Sequence, residues 1–125
     1  MAKAGIKPYT KYWSEKTYHN TSTIFRLSKN GQLPGVGVDY VIVEKGKRLQ
    51  PHYHHLPHVL ILVLKGKGFV YLNGKEKPAK EGDVITIPPK TTHGFRATTT
   101  KLVFVSIQNP PIYGKEAKKD TYFID

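Results

Sequence analysis

Apolar and polar positions divide this chain into short extended segments separated by breaks carrying glycine or proline. Residues 59–64, Val-Leu-Ile-Leu-Val-Leu, form an unbroken apolar run that is half β-branched and too short for an independent helix. The run predicts a strand buried on both faces. Strands are also predicted over 23–28, 36–44, 69–72, 84–87, 93–96 and 102–107. Asn73-Gly74 is the strongest hairpin signal, because both residues tolerate the left-handed backbone of a tight two-residue turn, and 75–80 should return antiparallel. Asn30-Gly31, Pro34-Gly35, Lys45-Gly46-Lys47, Glu81-Gly82-Asp83, Pro88-Pro89 and Asn109-Pro110-Pro111 supply the other breaks. Residues 1–20 lack periodicity and read as an arm or edge strand. Residues 115–119 are the only stretch that suggests a helical turn. Eight to ten short strands with almost no helix predict an all-β protein. Of the antiparallel architectures, a jelly-roll β-barrel is favoured because closure limits exposed strand edges.

Chemistry concentrates between His52 and Gly68. Side chains alternate along a strand, so His52 and His54 leave the same face and can both reach one ion about 2.1 Å from each ring nitrogen. Leu56-Pro57 should end that strand, so that His58 enters the next one. His55 has the opposite parity and should face away. His19 receives no role.

Composition narrows the partners. A chain of 125 residues with 38% hydrophobic content makes one domain, 1–125, large enough for a core. The absence of cysteine removes disulfides, thiolate ligands and cysteine nucleophiles, so any metal must sit on histidine and oxygen. No apolar stretch reaches signal-peptide or transmembrane length, which makes the cytoplasm the expected location and a membrane partner unexpected. The formal charge of +11 invites a nucleic-acid reading. The lysines are scattered through turns and edges, however, with only three arginines and no binding motif. A solvated basic surface that attracts small anions fits better. Lys90 and Arg96 could meet an anion, though a solvated role suits both.

The order and spacing of these residues carry a family resemblance. Gly46, His52-x-His54, His58 and Gly66 or Gly68 resemble the first cupin motif, in which His-x-His is followed by an acidic residue and a closing glycine. Gly82-Asp83 running to Pro88, with His93 beyond, is similar to the second. The resemblance covers 35–111 and implies a jelly-roll barrel. His58 stands where cupins usually carry glutamate, so the implied site is the four-histidine set His52, His54, His58 and His93, holding one divalent ion. Four imidazoles do not select among Mn, Fe, Ni, Cu and Zn. Small cupins further imply that Phe95, Phe104 and Ser106 lie beside the site, and that barrels pair into a homodimer. Such pairing would also cover the second face of 59–64. Two functions follow as expectations. One is a metal-dependent enzyme, a dioxygenase-type oxidoreductase or an isomerase/lyase acting on a small oxygenated anion. The other is a non-catalytic ligand- or sugar-binding module with a structural metal. No residue stands out in the sequence as a general base, so the catalytic residues are unassigned.

Overall fold

A computed structural model describes residues 4–16, 22–29, 33–113 and 119–124. Eleven strands run through them: β1 (Ser14–Lys16), β2 (Thr23–Ser28), β3 (Gly37–Glu44), β4 (Arg48–Tyr53), β5 (His58–Lys65), β6 (Lys67–Leu72), β7 (Lys75–Lys80), β8 (Val84–Ile87), β9 (His93–Ala97), β10 (Lys101–Asn109) and β11 (Tyr122–Phe123). The regular helix among the described residues is one 3-10 turn at Tyr9–Lys11, and no described helix is long and apolar enough to cross a membrane. His19, Asn30, Gly31 and most of the stretch expected to turn helically, 115–118, lie outside the described residues.

The strands form two antiparallel sheets, six strands in the order β1-β2-β3-β10-β5-β8 and five in the order β11-β4-β9-β6-β7. They pack as a jelly roll, all-β as expected. Asn73 and Gly74 both take positive φ, 44° and 91°, and close the β6–β7 hairpin in perfect register from Leu72↔Lys75 to Lys67↔Lys80. Alternation then decides what lies between the sheets. In β3 the residues Asp39, Val41 and Val43 are buried, and in β5 Val59, Ile61 and Val63 are buried. With Leu102, Phe104, Phe95 and Val70 the valines and Ile61 make a continuous apolar core.

The expectation that 59–64 is covered on both faces does not hold within one chain. Val59, Ile61 and Val63 point inward, whereas Leu60, Leu62 and Leu64 remain 42%, 38% and 40% exposed on the outer face. One barrel interior covers one face of a strand, and among the described residues no second layer lies over the outer leucines.

Candidate metal centre and its cavity

The inner face of the five-stranded sheet gathers three histidines. His52 lies in β4 directly opposite His93 at the start of β9, and Phe123 of β11 lies opposite His52 on its other side. His54 sits one step beyond the end of β4 with the parity of His52. Ring centroids are 4.3 Å apart for His52 and His93, 5.0 Å for His52 and His54, and 5.1 Å for His54 and His93. One ring nitrogen from each lies within 4.8 Å of the others. Two nitrogens bound to the same ion at about 2.1 Å are at most about 4.2 Å apart, so small inward movements of the rings suffice.

The hydrogen bonds of the three rings favour ligation. His52 Nδ1 donates to the Gln50 carbonyl at 2.7 Å, His93 Nδ1 to the Thr91 carbonyl at 2.9 Å, and His54 Nδ1 to the Asp120 carbonyl at 2.5 Å. A backbone carbonyl can only accept, so each Nδ1 must carry the hydrogen and each Nε2 keeps its lone pair. Carbonyl-anchored imidazoles of this kind have their tautomer and ring orientation fixed before a ligand arrives. Burial depresses the pKa of all three. His52 falls well below its ordinary value through burial and the proximity of His93 and His54; His93 falls to about 4 through burial and His54; His54 is lowered by burial against the pull of Asp120. Each is therefore neutral at pH 7, as a metal ligand must be.

His58 does not join them. It opens β5 in the other sheet with the parity of Leu60 and Leu62, and its side chain is exposed on the outer face. The connection through Leu56 and the buried Pro57 carries the chain from one sheet to the other and resets the alternation. Val59, one residue later, takes the inward position. His55 is exposed, packed edge-on against Tyr122 at 4.6 Å. Lys90 and Arg96 are exposed, and Arg96 pairs with Glu76 at 2.7 and 3.0 Å.

A cavity of ≈ 50 Å³ opens between the sheets at the histidines. Phe95, Phe104 and Ser106 all line it, with the two phenylalanine rings 4.3 Å apart. The opposite wall, from the six-stranded sheet, holds a polar row that the sequence reading missed. Arg26, Asp39 and Ser106 are direct cross-strand neighbours on β2, β3 and β10. Arg26 donates through Nη1 to Asp39 Oδ2 at 2.6 Å and through Nη2 to Glu15. Gln108 adds a 2.8 Å bond to Asp39 Oδ2 and a 2.9 Å bond to Ser106 Oγ, while Tyr113 and Lys119 reach Glu15 at 3.1 and 3.4 Å. Burial raises the Asp39 carboxyl above its ordinary value against the pull of Arg26. Burial also pushes Glu15 upward, but Arg26, Lys119 and Tyr113 outweigh it and hold that carboxyl below its usual range. A signal for the inner pair was present, since Arg26 has the parity of Ile24 and Asp39 that of Val41. An inward arginine beside an inward aspartate is a pairing that alternation alone could have proposed. Glu15 carries no such signal, because its strand is three residues long.

Residues 39–107, more than half of the chain, match the cupin domain family. The chain is a cupin. An uncharacterised protein of Aquifex aeolicus is 42% identical to it over 67 residues, 54% of this chain and 55% of that protein, so the cupin spans about half the length of that curated relative. Among solved structures, a cupin-superfamily sugar phosphate isomerase from Silicibacter pomeroyi superposes with a TM-score of 0.75 at 18% identity, covering 97% of this chain and 82% of that one. The Streptomyces nucleoside dehydratase Pac13 gives 0.72 at 23% identity, covering 98% and 95%. At these identities the likeness to both structures is one of fold.

Proposed function

We propose that this cupin is a metal-dependent enzyme of isomerase or lyase type acting on a small oxygenated anion, with one divalent ion held by His52, His54 and His93. The observation that carries the reading is the set of three Nδ1-to-carbonyl bonds, which leave three Nε2 lone pairs on one cavity wall. A bound ion would supply Lewis-acid polarisation of a substrate oxygen. Three protein ligands leave coordination positions for substrate or water, and the cavity gives that substrate a place. Neutral imidazoles leave the ion's full charge in place, which favours an anionic group there. Proton chemistry is preferred over oxygen chemistry because the facing wall carries carboxylates, and isomerisation and elimination need a group that accepts a proton. The neighbours named as an isomerase and a dehydratase support that preference.

The test has two readouts. Protein purified without added metal should carry, or take up, one equivalent of a divalent ion. The loaded protein should then catalyse metal-dependent exchange of carbon-bound hydrogen for deuterium beside the carbonyl of small hydroxy-carbonyl compounds, followed by NMR. Absence of stoichiometric metal ends the reading. Metal uptake without exchange across the panel supports the non-catalytic binding module instead.

Asp120 should matter to the metal without touching it. Its carboxylate accepts from the backbone N–H groups of His55 at 2.9 Å and Leu56 at 3.0 Å, and its own N–H donates to the Ile112 carbonyl at 2.8 Å. These bonds seat the carbonyl that orients His54. Asp120→Ala keeps that carbonyl but loosens its seat, so cobalt affinity should fall about tenfold, at the low end for residues that orient metal ligands. Unchanged affinity in a folded variant would show that β11 and its own contacts hold the segment without the carboxylate.

A homodimer is proposed on the outer face of the six-stranded sheet. Leu62 lies opposite Val84 and Leu60 opposite Ile107, so the exposed leucines of β5 join exposed apolar neighbours on both adjacent strands into one patch. A second copy offers the same patch, and a two-fold axis through it makes the contact self-complementary. Sedimentation should give twice the 14.1 kDa chain mass, and Leu62→Glu should return it to the monomer. A wild-type monomer at micromolar concentration would refute the pairing.

A further inference from the structure

The polar row across the cavity implies which ligands the site takes. Both hydrogen bonds to Asp39 converge on Oδ2, one from Arg26 and one from Gln108. Oδ1 has no protein partner among the described residues, and it is not one of the sealed, unsatisfied atoms, of which Arg26 Nε is the sole case there. Asp39 lines the cavity and is 3% exposed. Its inward parity puts the side chain on the cavity wall, where a ligand in the cavity can meet the oxygen that has no protein donor. An accessible carboxylate oxygen without a protein donor is left to water, and a ligand that brings an O–H can take that place.

We infer that Asp39 is a recognition group selecting small ligands that carry a hydroxyl, with Oδ1 accepting the hydroxyl's hydrogen bond while the ligand's anionic end lies at the histidine wall. The ligand class is the α-hydroxy acid or hydroxy-carbonyl compound of two or three carbons.

Two observations converge on this class. At roughly 10–15 Å³ per water-sized group, ≈ 50 Å³ holds about four such groups, which suits a compact ligand. The two walls have opposite demands. A dication on three neutral imidazoles attracts an anion, whereas Asp39 Oδ1 can only accept a hydrogen bond, so a simple anion satisfies only half of the cavity and a ligand with an acceptor at one end and a donor at the other satisfies both. Arg26 offers this ligand no free terminal donor, because its Nη1 and Nη2 are engaged by Asp39 and Glu15.

The inference rests on the metal reading of the histidines, and the experiment separates the two. Cobalt uptake is measured first, then titration of the cobalt spectrum with glycolate and with acetate, which differ by one hydroxyl. Wild-type protein should bind glycolate at least tenfold more tightly than acetate. In Asp39→Asn the amide oxygen can keep the bonds from Arg26 and Gln108, while the free atom becomes an NH₂ that donates and cannot accept. Glycolate affinity should then fall at least tenfold, while acetate, which brings no hydroxyl and loses a like charge across the cavity, should not weaken. No cobalt uptake by wild type ends the metal reading and this inference with it. Cobalt uptake without a glycolate preference, or a preference that survives in Asp39→Asn, overturns the inference alone. Should Asp39→Asn fail to fold, methoxyacetate decides on wild-type protein: it keeps the carboxylate and ether oxygen but lacks the donor, so affinity equal to that of glycolate overturns the proposal.

Discussion

His93→Ala should lower cobalt or zinc affinity about 100-fold, and His58→Ala should leave it within twofold. Apparent binding free energies of about 10–16 kcal/mol over four ligands in well-formed zinc sites assign about 3 kcal/mol to each, which is a factor of ~100. His93 faces His52 across paired strands and closes the cluster, whereas His58 is exposed on the far side of the other sheet. Equilibrium dialysis against a weak chelator measures both. Equal losses in the two variants would mean that the alternation of β5 is wrong by one residue and that the four-histidine site is correct. The same histidines set an acid limit on the metal-free protein. His93 has a folded pKa of about 4 against an ordinary 6.5, so between those values the unfolded chain binds a proton that the folded chain refuses. Stability is then intact above about pH 6.5 and declines as pH falls toward 4, by about 3 kcal/mol for this one group. Urea midpoints across that window should fall for wild type and fall less for His93→Ala.

What the sequence made legible was whatever alternation and turn chemistry control. The β6–β7 hairpin follows from Asn73-Gly74 alone, and the shared face of His52 and His54 follows from their spacing within one strand. His58 illustrates the limit. Its distance in sequence from His54 matches the family's first motif, but the peptide between them crosses from one sheet to the other, and parity counted along a chain has no meaning across such a crossing. The double-sided burial expected of β5 is met on one face within the chain, since an apolar outer face records a need for cover without specifying who provides it. Arg26 and Asp39 were legible in principle, because both interrupt an apolar alternation at inward positions. Asp120 and Phe123 could not be found at all by local pattern. They reach the histidines because β11 pairs with β4 about 70 residues away in sequence, and long-range pairing has no local signature.

The polar row also carries the largest expected change in stability. Arg26→Met should destabilise the protein by about 3–5 kcal/mol at pH 8, because it leaves Asp39 and Glu15 ionised without a guanidinium between them. Arg26 and Asp39 side chains are each 4% exposed, so water cannot take over the lost bonds. The exposed Arg96–Glu76 pair is the contrast. It is bidentate and well formed, yet its side chains are 45% and 42% exposed, and Arg96→Met should cost no more than about 1 kcal/mol. Loss of Arg26 also changes the pH dependence in a predictable sense. Burial already raises Asp39, and removing its cation raises it further, so the folded variant prefers the protonated acid more than the unfolded chain does. The variant's deficit should therefore be smallest below the ordinary carboxylate range and grow as pH rises through the new folded value. Urea unfolding at pH 5 and pH 8 reads this directly. Adding Asp39→Asn to Arg26→Met should recover part of the loss at pH 8, because the uncompensated buried charge is gone. A double variant no more stable than Arg26→Met would place the cost in lost packing of the arginine stem, and the electrostatic account of this wall would have to be given up.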